Sequence, residues 1–157
     1  MYASPACLQI IRTCEGFRAT PYLCPAGIPT IGYGSTRYAD GRPVSLGDPK
    51  ISETQAETIM RATLREYEAA VQRYVTVPMT QGQFDALVDF AYNTGAQNLR
   101  TSTLLRLLNA GDYAGASQQF GRWVNGGNKR LAGLVTWRKL EQQLFNTAAA
   151  AQSNTPA

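Results

Sequence analysis

Three residues near the N-terminus have side chains that can do chemistry, and they stand nine and then six positions apart: Glu15, Cys24 and Thr30. A glutamate can act as a general acid, a cysteine as a base or nucleophile, and a threonine hydroxyl can hold a water molecule. Glu15 comes at the end of a predicted helix, where the negative end of the helix dipole disfavours the ionised carboxylate by up to about 1 kcal/mol. We therefore expect a raised pKa for Glu15, which suits a general acid working near neutral pH.

Cys24 lies in the turn-rich segment PYLCPAG, which is an unusual setting for a thiol because free cysteines are mostly buried in cores. The other two cysteines, Cys7 and Cys14, do not form a C-x-x-C spacing with it, so neither a structural zinc site nor a thioredoxin-type motif is expected. Cys7 is predicted to be a core residue. The chain has no histidine, which excludes Ser/His/Asp and Cys/His catalytic machinery and every histidine-containing zinc site. No metal and no cofactor is predicted.

The composition is that of an ordinary globular protein, with 157 residues of which 44% are hydrophobic and 17% charged. This length is sufficient for one domain with a substantial core. Fifteen basic and eleven acidic residues give a formal charge of +4, which suits a polyanionic partner such as a cell-wall polymer, an anionic lipid surface or a nucleic acid. No apolar run approaches the roughly 18 residues of a membrane span, and no cleavable signal is recognisable.

The elements that position the three residues are predicted from apolar spacing and turn residues. Apolar positions at helical spacing between Pro5 and Gly16 predict a helix that ends beside Glu15, with the proline in the first turn and the glycine as the C-terminal cap. Residues 18–47 are rich in glycine and proline and predict a small, irregular antiparallel sheet. Cys24 and Thr30 both fall within it.

The rest of the chain is predicted to be mainly helical. A capping box of Ser52 and Gln55 opens a helix of more than twenty residues, and such a length suggests a link between two lobes. Four more helices are predicted, at 80–95 with a capping box of Thr80 and Gln83, and at 102–110, 112–124 and 129–146. The NGGN segment at 125–128 predicts a loop, and residues 148–157 predict a frayed or disordered tail. The predicted fold class is therefore α+β and mostly helical.

Several motifs then point to a family. The Glu-Gly pair that contains Glu15 and the TIGYG run that begins at Thr30 resemble the catalytic segment of the phage-type lysozymes, the endolysins of glycoside hydrolase family 24. The resemblance continues through VPMTQGQFDALVDFAYNTG, STLLRLLNAGDYAGASQQFGRWV and GGNKRLAGLVTWRKLEQQLF, and so covers residues 5–146. In that family a Glu, an Asp nine residues on and a Thr six further on form the catalytic set. The resemblance places this set on Glu15, Cys24 and Thr30.

Two positions depart from the family's usual pattern. Cys24 stands where most members have aspartate, as in a branch with PYxCPAG at this place, and Ser35 stands where many relatives have histidine. The resemblance implies a muramidase that cleaves the β-1,4 bond between N-acetylmuramic acid and N-acetylglucosamine in peptidoglycan, with Glu15 as the acid. Cys24 could help a water held by Thr30 to attack, with inversion, or could attack the anomeric carbon itself, with retention. Family resemblance favours inversion.

The resemblance also implies a lysozyme-like two-lobed fold in a single domain, with a sheet lobe at about 18–50, a long connecting helix and a helical lobe at about 76–147. Alignment with the family's cleft predicts five glycan contacts: Tyr33, Tyr92, Asn93, Thr103 and Ser117. In cysteine-bearing relatives a disulfide can hold the active-site thiol. A bond between Cys14 and Cys24 would block the site here, and whether it forms is open.

Two other functions stay open at this point. The chain could be a wall-binding module that has lost catalysis, or a lytic transglycosylase, for which one glutamate can suffice. A nucleic-acid binder is disfavoured because the basic residues are dispersed and no recognised motif accompanies them. We expect a monomer that acts on bacterial peptidoglycan, with no nucleic-acid partner and no stable membrane insertion. It is expected in the host cytoplasm until its release to the periplasm at lysis, and an anchoring segment ahead of residue 1 is left open.

Overall fold

The computed structural model describes residues 1–126 and 129–153. Its elements, in chain order, are α1 (Pro5–Glu15), β1 (Arg18–Leu23), β2 (Pro29–Gly32), α2 (Glu53–Tyr74), α3 (Gln81–Thr94), α4 (Ala96–Thr101), α5 (Thr103–Asn109), α6 (Tyr113–Gln119), a 3-10 turn (Phe120–Arg122), β3 (Asn125–Gly126), β4 (Lys129–Arg130) and α7 (Ala132–Ser153). The α+β, mostly helical class is confirmed. The chain forms two compact units, residues 11–66 and residues 1–10 with 67–157, called below the sheet unit and the helical unit.

The sheet unit is built on an antiparallel hairpin of β1 and β2, in which Tyr22 lies opposite Thr30. After β2 the chain reverses again, and the backbones of Ile31 and Ser35 exchange two hydrogen bonds of 2.8 and 3.0 Å. A further isolated bridge joins residues 37 and 43. The predicted small and irregular antiparallel sheet is therefore confirmed, and its irregularity follows from turn residues that interrupt each pairing.

Helix α1 ends where its glycine permits. Gly16 has φ +73°, and its N–H donates to the carbonyl of Arg12 at 3.1 Å. A left-handed residue directly after a helix stops the helical path while satisfying one of its last carbonyls, and glycine adopts this conformation without steric cost. Glu15 is therefore the last helical residue, as predicted.

The helical unit is organised around α3, which is buried along most of its length and packs against α7. Thr80 and Gln83 form the predicted capping box at its start, with bonds of 2.9 and 3.0 Å. Residues 1–10 belong to this unit because distant carboxylates bind their backbone: Ala3 N donates to Glu68 at 2.6 Å and Ser4 N to Asp85 at 3.0 Å.

The predictions for the C-terminal region were partly wrong. Asn125–Gly126 pairs with Lys129–Arg130 as a short antiparallel ladder, whereas a loop and the start of a helix were predicted there. Turn residues between the pairing segments favour such a hairpin, and residues 127–128 lie outside the described part. Helix α7 continues to Ser153, where a disordered tail had been predicted from about 148. Four consecutive alanines explain the extension, because alanine has the highest helix propensity, and residues 154–157 lie outside the described part.

Candidate active site

The carboxyl group of Glu15 lies directly against the backbone of Gly34 in the sheet unit. A Cβ atom placed on residue 34 would stand 2.8 Å from Cδ of Glu15 and 2.9 and 3.0 Å from its two carboxyl oxygens. Gly34 also has φ +82°, a left-handed conformation that favours glycine. The second glycine of TIGYG thus allows the end of α1 and the turn after β2 to meet at the acid.

Cys24 and Thr30 lie together on the hairpin of β1 and β2. Cys24 N donates to the carbonyl of Ile28 at 3.1 Å and Gly27 N to the carbonyl of Cys24 at 2.8 Å, which fixes the turn. Thr30 is 3% exposed, and its hydroxyl donates to the carbonyl of Ile28 at 2.8 Å. The same hydroxyl is one of the groups that lower the pKa of the Cys24 thiol. Because it has one hydrogen, it cannot donate fully to the carbonyl and to the sulfur at the same time.

The pKa of the Cys24 thiol is lowered, chiefly because the backbone N–H of Ile28 stabilises the thiolate. Burial opposes this effect and is the second-largest influence, while the N–H of Ala26 and the hydroxyl of Thr30 lower the pKa further. Arg18 is not among the groups that shift this pKa, and its guanidinium stacks on the ring of Tyr22, 4.3 Å from the centroid. The turn itself therefore activates the thiol.

Tyr22 lies within electrostatic reach of both candidate groups and was not predicted as a site residue. Burial is the main cause that raises the pKa of Tyr22, and the negative charges of Glu15 and Cys24 raise it further. Its position opposite Thr30 puts its side chain on the same face of the hairpin. The alternation of β1 could have indicated this, because residues 22 and 24 point to one face.

Four of the five predicted glycan contacts have a partner within the protein. In the sheet unit Tyr33 is buried and packs on Phe17, with ring centroids 5.7 Å apart. In the helical unit Tyr92 packs edge-on against Tyr67. Asn93 accepts a hydrogen bond of 2.6 Å from Arg138, and Ser117 donates one of 2.8 Å to Asn146. Thr103 is a partly exposed residue at the start of α5. Their roles as glycan contacts stay predictions.

Ser35 and the cysteines bear on how the site is supported and on whether a disulfide blocks it. Ser35, which replaces the family's histidine, is 1% exposed, and its hydroxyl has no hydrogen-bond partner in the described part of the chain. None of the three cysteines forms a disulfide in this structure, so Cys14 and Cys24 are not bonded to each other. Cys7 is fully buried, as predicted, and burial raises the pKa of its thiol.

Over residues 1–126 and 129–153, no group of three or more potential ligands could hold a metal ion. Within the same ranges no helix has both the length and the apolar character needed to cross a bilayer.

Comparison with known proteins gives a consistent result over nearly the whole chain. A family model described as Phage lysozyme matches residues 12–141. The endolysin of Acyrthosiphon pisum secondary endosymbiont phage 1 is 39% identical over 152 residues, which cover 94% of this chain and 100% of that protein. The endolysin of Bacillus phage B103 is 40% identical over 152 residues, covering 94% of this chain and 55% of that protein. The structure of the endolysin from Escherichia coli O157:H7 phage FAHEc1 superimposes with a TM-score of 0.83 at 35% identity, covering 100% of this chain and 98% of that one.

Proposed function

Because the chain belongs to the phage lysozyme family and is therefore a peptidoglycan hydrolase with a lysozyme-like fold, we propose that it cleaves the β-1,4 bond between N-acetylmuramic acid and N-acetylglucosamine, with Glu15 as the general acid. The observation that carries this role is the contact between the Glu15 carboxyl and Gly34. This contact holds the acid on a rigid turn. A general acid contributes only where its proton is in reach of the leaving oxygen, so such fixation matters.

Cys24 and Thr30 supply the second half of the reaction. Glu15 gives its proton to the departing oxygen while positive charge develops on the sugar ring. Thr30 orients a water molecule, and the thiolate of Cys24 takes the proton of that water as it attacks the opposite face. The lowered pKa of Cys24 supports this step, because the thiolate is the form that can accept a proton. This step gives the inverted anomer as the product. A product of retained configuration would instead indicate that the sulfur of Cys24 attacks the anomeric carbon directly.

The test of the acid is Glu15→Gln, with Glu66→Gln as the matched control on an exposed face of α2. We expect the first variant to lose lysis of permeabilised Gram-negative cells while keeping its thermal unfolding midpoint, and the second to keep both. Full activity of Glu15→Gln would refute the assignment. Products with a free reducing end identify hydrolysis, whereas anhydromuropeptides would identify a lytic transglycosylase.

The test of the thiol is Cys24→Asp, which places the family's usual carboxylate in the same turn. We expect this variant to stay active and to become insensitive to thiol alkylation, while alkylation inactivates the unsubstituted protein. If alkylation of Cys24, verified by mass spectrometry, leaves lysis unchanged, the thiol has no catalytic role.

The proposed setting is that of a monomeric lysis protein with peptidoglycan as its partner. It is held in the host cytoplasm until it reaches the periplasm at lysis. Fractionation of expressing cells before and after membrane permeabilisation checks this: sedimentation with the membrane before lysis would contradict it.

A further inference from the structure

Arg138 is a buried cation on α7 in the helical unit, and its side chain is held on two sides. Its Nε stands 2.9 Å from Oε1 of Glu141, and its Nη2 donates to Oε2 of the same carboxyl group at 3.3 Å. The guanidinium also lies over the ring of Phe90 in α3, 5.2 Å from the centroid. A forked pair with a carboxylate and a contact with a ring face fix the guanidinium in one orientation.

The same guanidinium holds one partly exposed residue, Asn93, near the end of α3. Its Nη2 donates to Oδ1 of Asn93 at 2.6 Å. An arginine side chain has only donors, so the amide atom that faces it is the oxygen. The amino group of Asn93 is therefore turned away from Arg138, and it has no hydrogen-bond partner among residues 1–126 and 129–153. Two N–H donors are thus available at a partly exposed position.

The charges behind Asn93 are buried at a cost that stability does not explain. Asp89 is also fully buried, accepts a bond of 2.6 Å from Trp137, and lies close enough to Arg138 for their charges to interact. Hydrophobic side chains of similar volume often stabilise a core as well as buried ion pairs do, because buried charges lose their hydration. The cluster of Arg138, Asp89 and Glu141 is suited instead to holding the Asn93 amide in a single orientation.

We propose that Arg138 is a positioning residue, which fixes the Asn93 amide so that its amino group donates to the acetamido carbonyl of a bound glycan. This inference rests on the proposed function. A sugar hydroxyl can pair with either end of an amide, whereas a carbonyl oxygen only accepts. A fixed donor therefore favours an N-acetylated sugar over a sugar that has a hydroxyl in the same place.

The donor is tested with Asn93→Asp, which keeps the shape and the acceptor for Arg138 but removes both N–H donors. Calorimetric titration compares chitotetraose with cellotetraose, in which hydroxyls replace the acetamido groups. We expect Asn93→Asp to weaken chitotetraose about three- to tenfold, the loss of one hydrogen bond, and to leave cellotetraose unchanged. Gln143→Glu, the same amide-to-carboxylate change on an exposed position of α7, is the control and leaves both unchanged.

The proposal is overturned if chitotetraose does not bind, if Asn93→Asp binds it as tightly as the unsubstituted protein, or if both sugars are weakened equally. Loss of both sugars by the same factor would mean that Asn93 supports the surface in general and does not select the acetamido group.

The positioning role is tested by Arg138→Met combined with Glu141→Met, which removes both charges together so that neither is left buried alone. Arg138→Lys, which keeps the charge but loses the planar fork, is the second variant. We expect each folded variant to raise KM on soluble glycan strands about three- to tenfold with little change in kcat, and to have no further effect in an Asn93→Ala background. Lys139→Met, on an exposed position of α7, should change neither.

An equal rise in KM with and without the Asn93 side chain would show that Arg138 acts on folding alone, and would refute its positioning role. If the unsubstituted protein binds chitotetraose but does not hydrolyse glycan strands, the proposed function fails. The titrations of Asn93→Asp and of the Arg138 variants then still decide on the donor and on the residue that positions it.

Discussion

Alanine at position 34 probes whether the backbone contact with Glu15 sets the activity. The added Cβ would stand 2.8 Å from Cδ of the carboxyl group. An ordinary carbon–carbon contact needs at least about 3.5 Å, so one side must move by about 0.7 Å. The side that can move is the carboxyl, because Gly34 belongs to the turn that the Ile31 and Ser35 backbones close with two hydrogen bonds.

Gly34→Ala should lower both the folding stability and the lytic activity, and the two losses can be measured separately. The left-handed φ of +82° costs an alanine about 1–2 kcal/mol of folding stability. Displacement of the acid costs activity, and a misplacement of about 1 Å is enough for a loss of about 10²-fold. We therefore expect a modest fall in the free energy of unfolding together with a loss of lysis of about 10- to 100-fold.

Gly41→Ala is the matched control, because Gly41 has φ +89° and nothing within 4 Å of its added Cβ. It should lose about the same stability and keep its activity. Urea unfolding measures the first quantity, and turbidity loss of permeabilised cells measures the second. The contact has no catalytic importance if Gly34→Ala is as active as Gly41→Ala, or if both lose activity in proportion to their stability.

Two further predictions concern ionisable groups in the two units. The alkylation rate of Cys24 can be followed against pH by mass spectrometry of its peptide, and the midpoint of this pH profile should lie below the ordinary thiol pKa of about 8.5. Thr30→Val should move that midpoint to higher pH. An unchanged midpoint would exclude the hydroxyl as a partner of the sulfur. Arg138→Met should lose about 3–5 kcal/mol of stability, because the Arg138 guanidinium lies 2.9 Å from buried Glu141 and close to buried Asp89. Burial raises the pKa of Asp89 and the charge of Arg138 opposes that rise, so removing the guanidinium should raise this pKa further. The loss should therefore grow as pH rises above about 4, where the carboxyl group of the unfolded chain ionises. Urea unfolding that gives the same loss at pH 4 and pH 7 would contradict this.

Local signals in the sequence predicted the elements that carry the candidate site. The cap at Gly16 placed Glu15 at the end of α1, and the turn residues after Pro21 predicted the hairpin that carries Cys24 and Thr30. Each of these features depends on residues within a few positions of one another, so it can be predicted from the local sequence alone. The end of α7 was mispredicted for a related reason. Its last residues are good helix formers, but they include few apolar residues to bury, and a disordered tail was therefore predicted there.

The amino-acid sequence by itself determined the chemistry available to this protein: one acid, one thiol and one hydroxyl at fixed spacing, in a chain without histidine. Only the tertiary structure decided how those groups are tuned. It placed the carboxyl of Glu15 on Gly34, nineteen positions away, and joined Ile51 to the hairpin. Such contacts depend on where the chain returns after several turns, and no short-range preference encodes that path. Local preferences therefore fixed which groups are present, and packing fixed their distances.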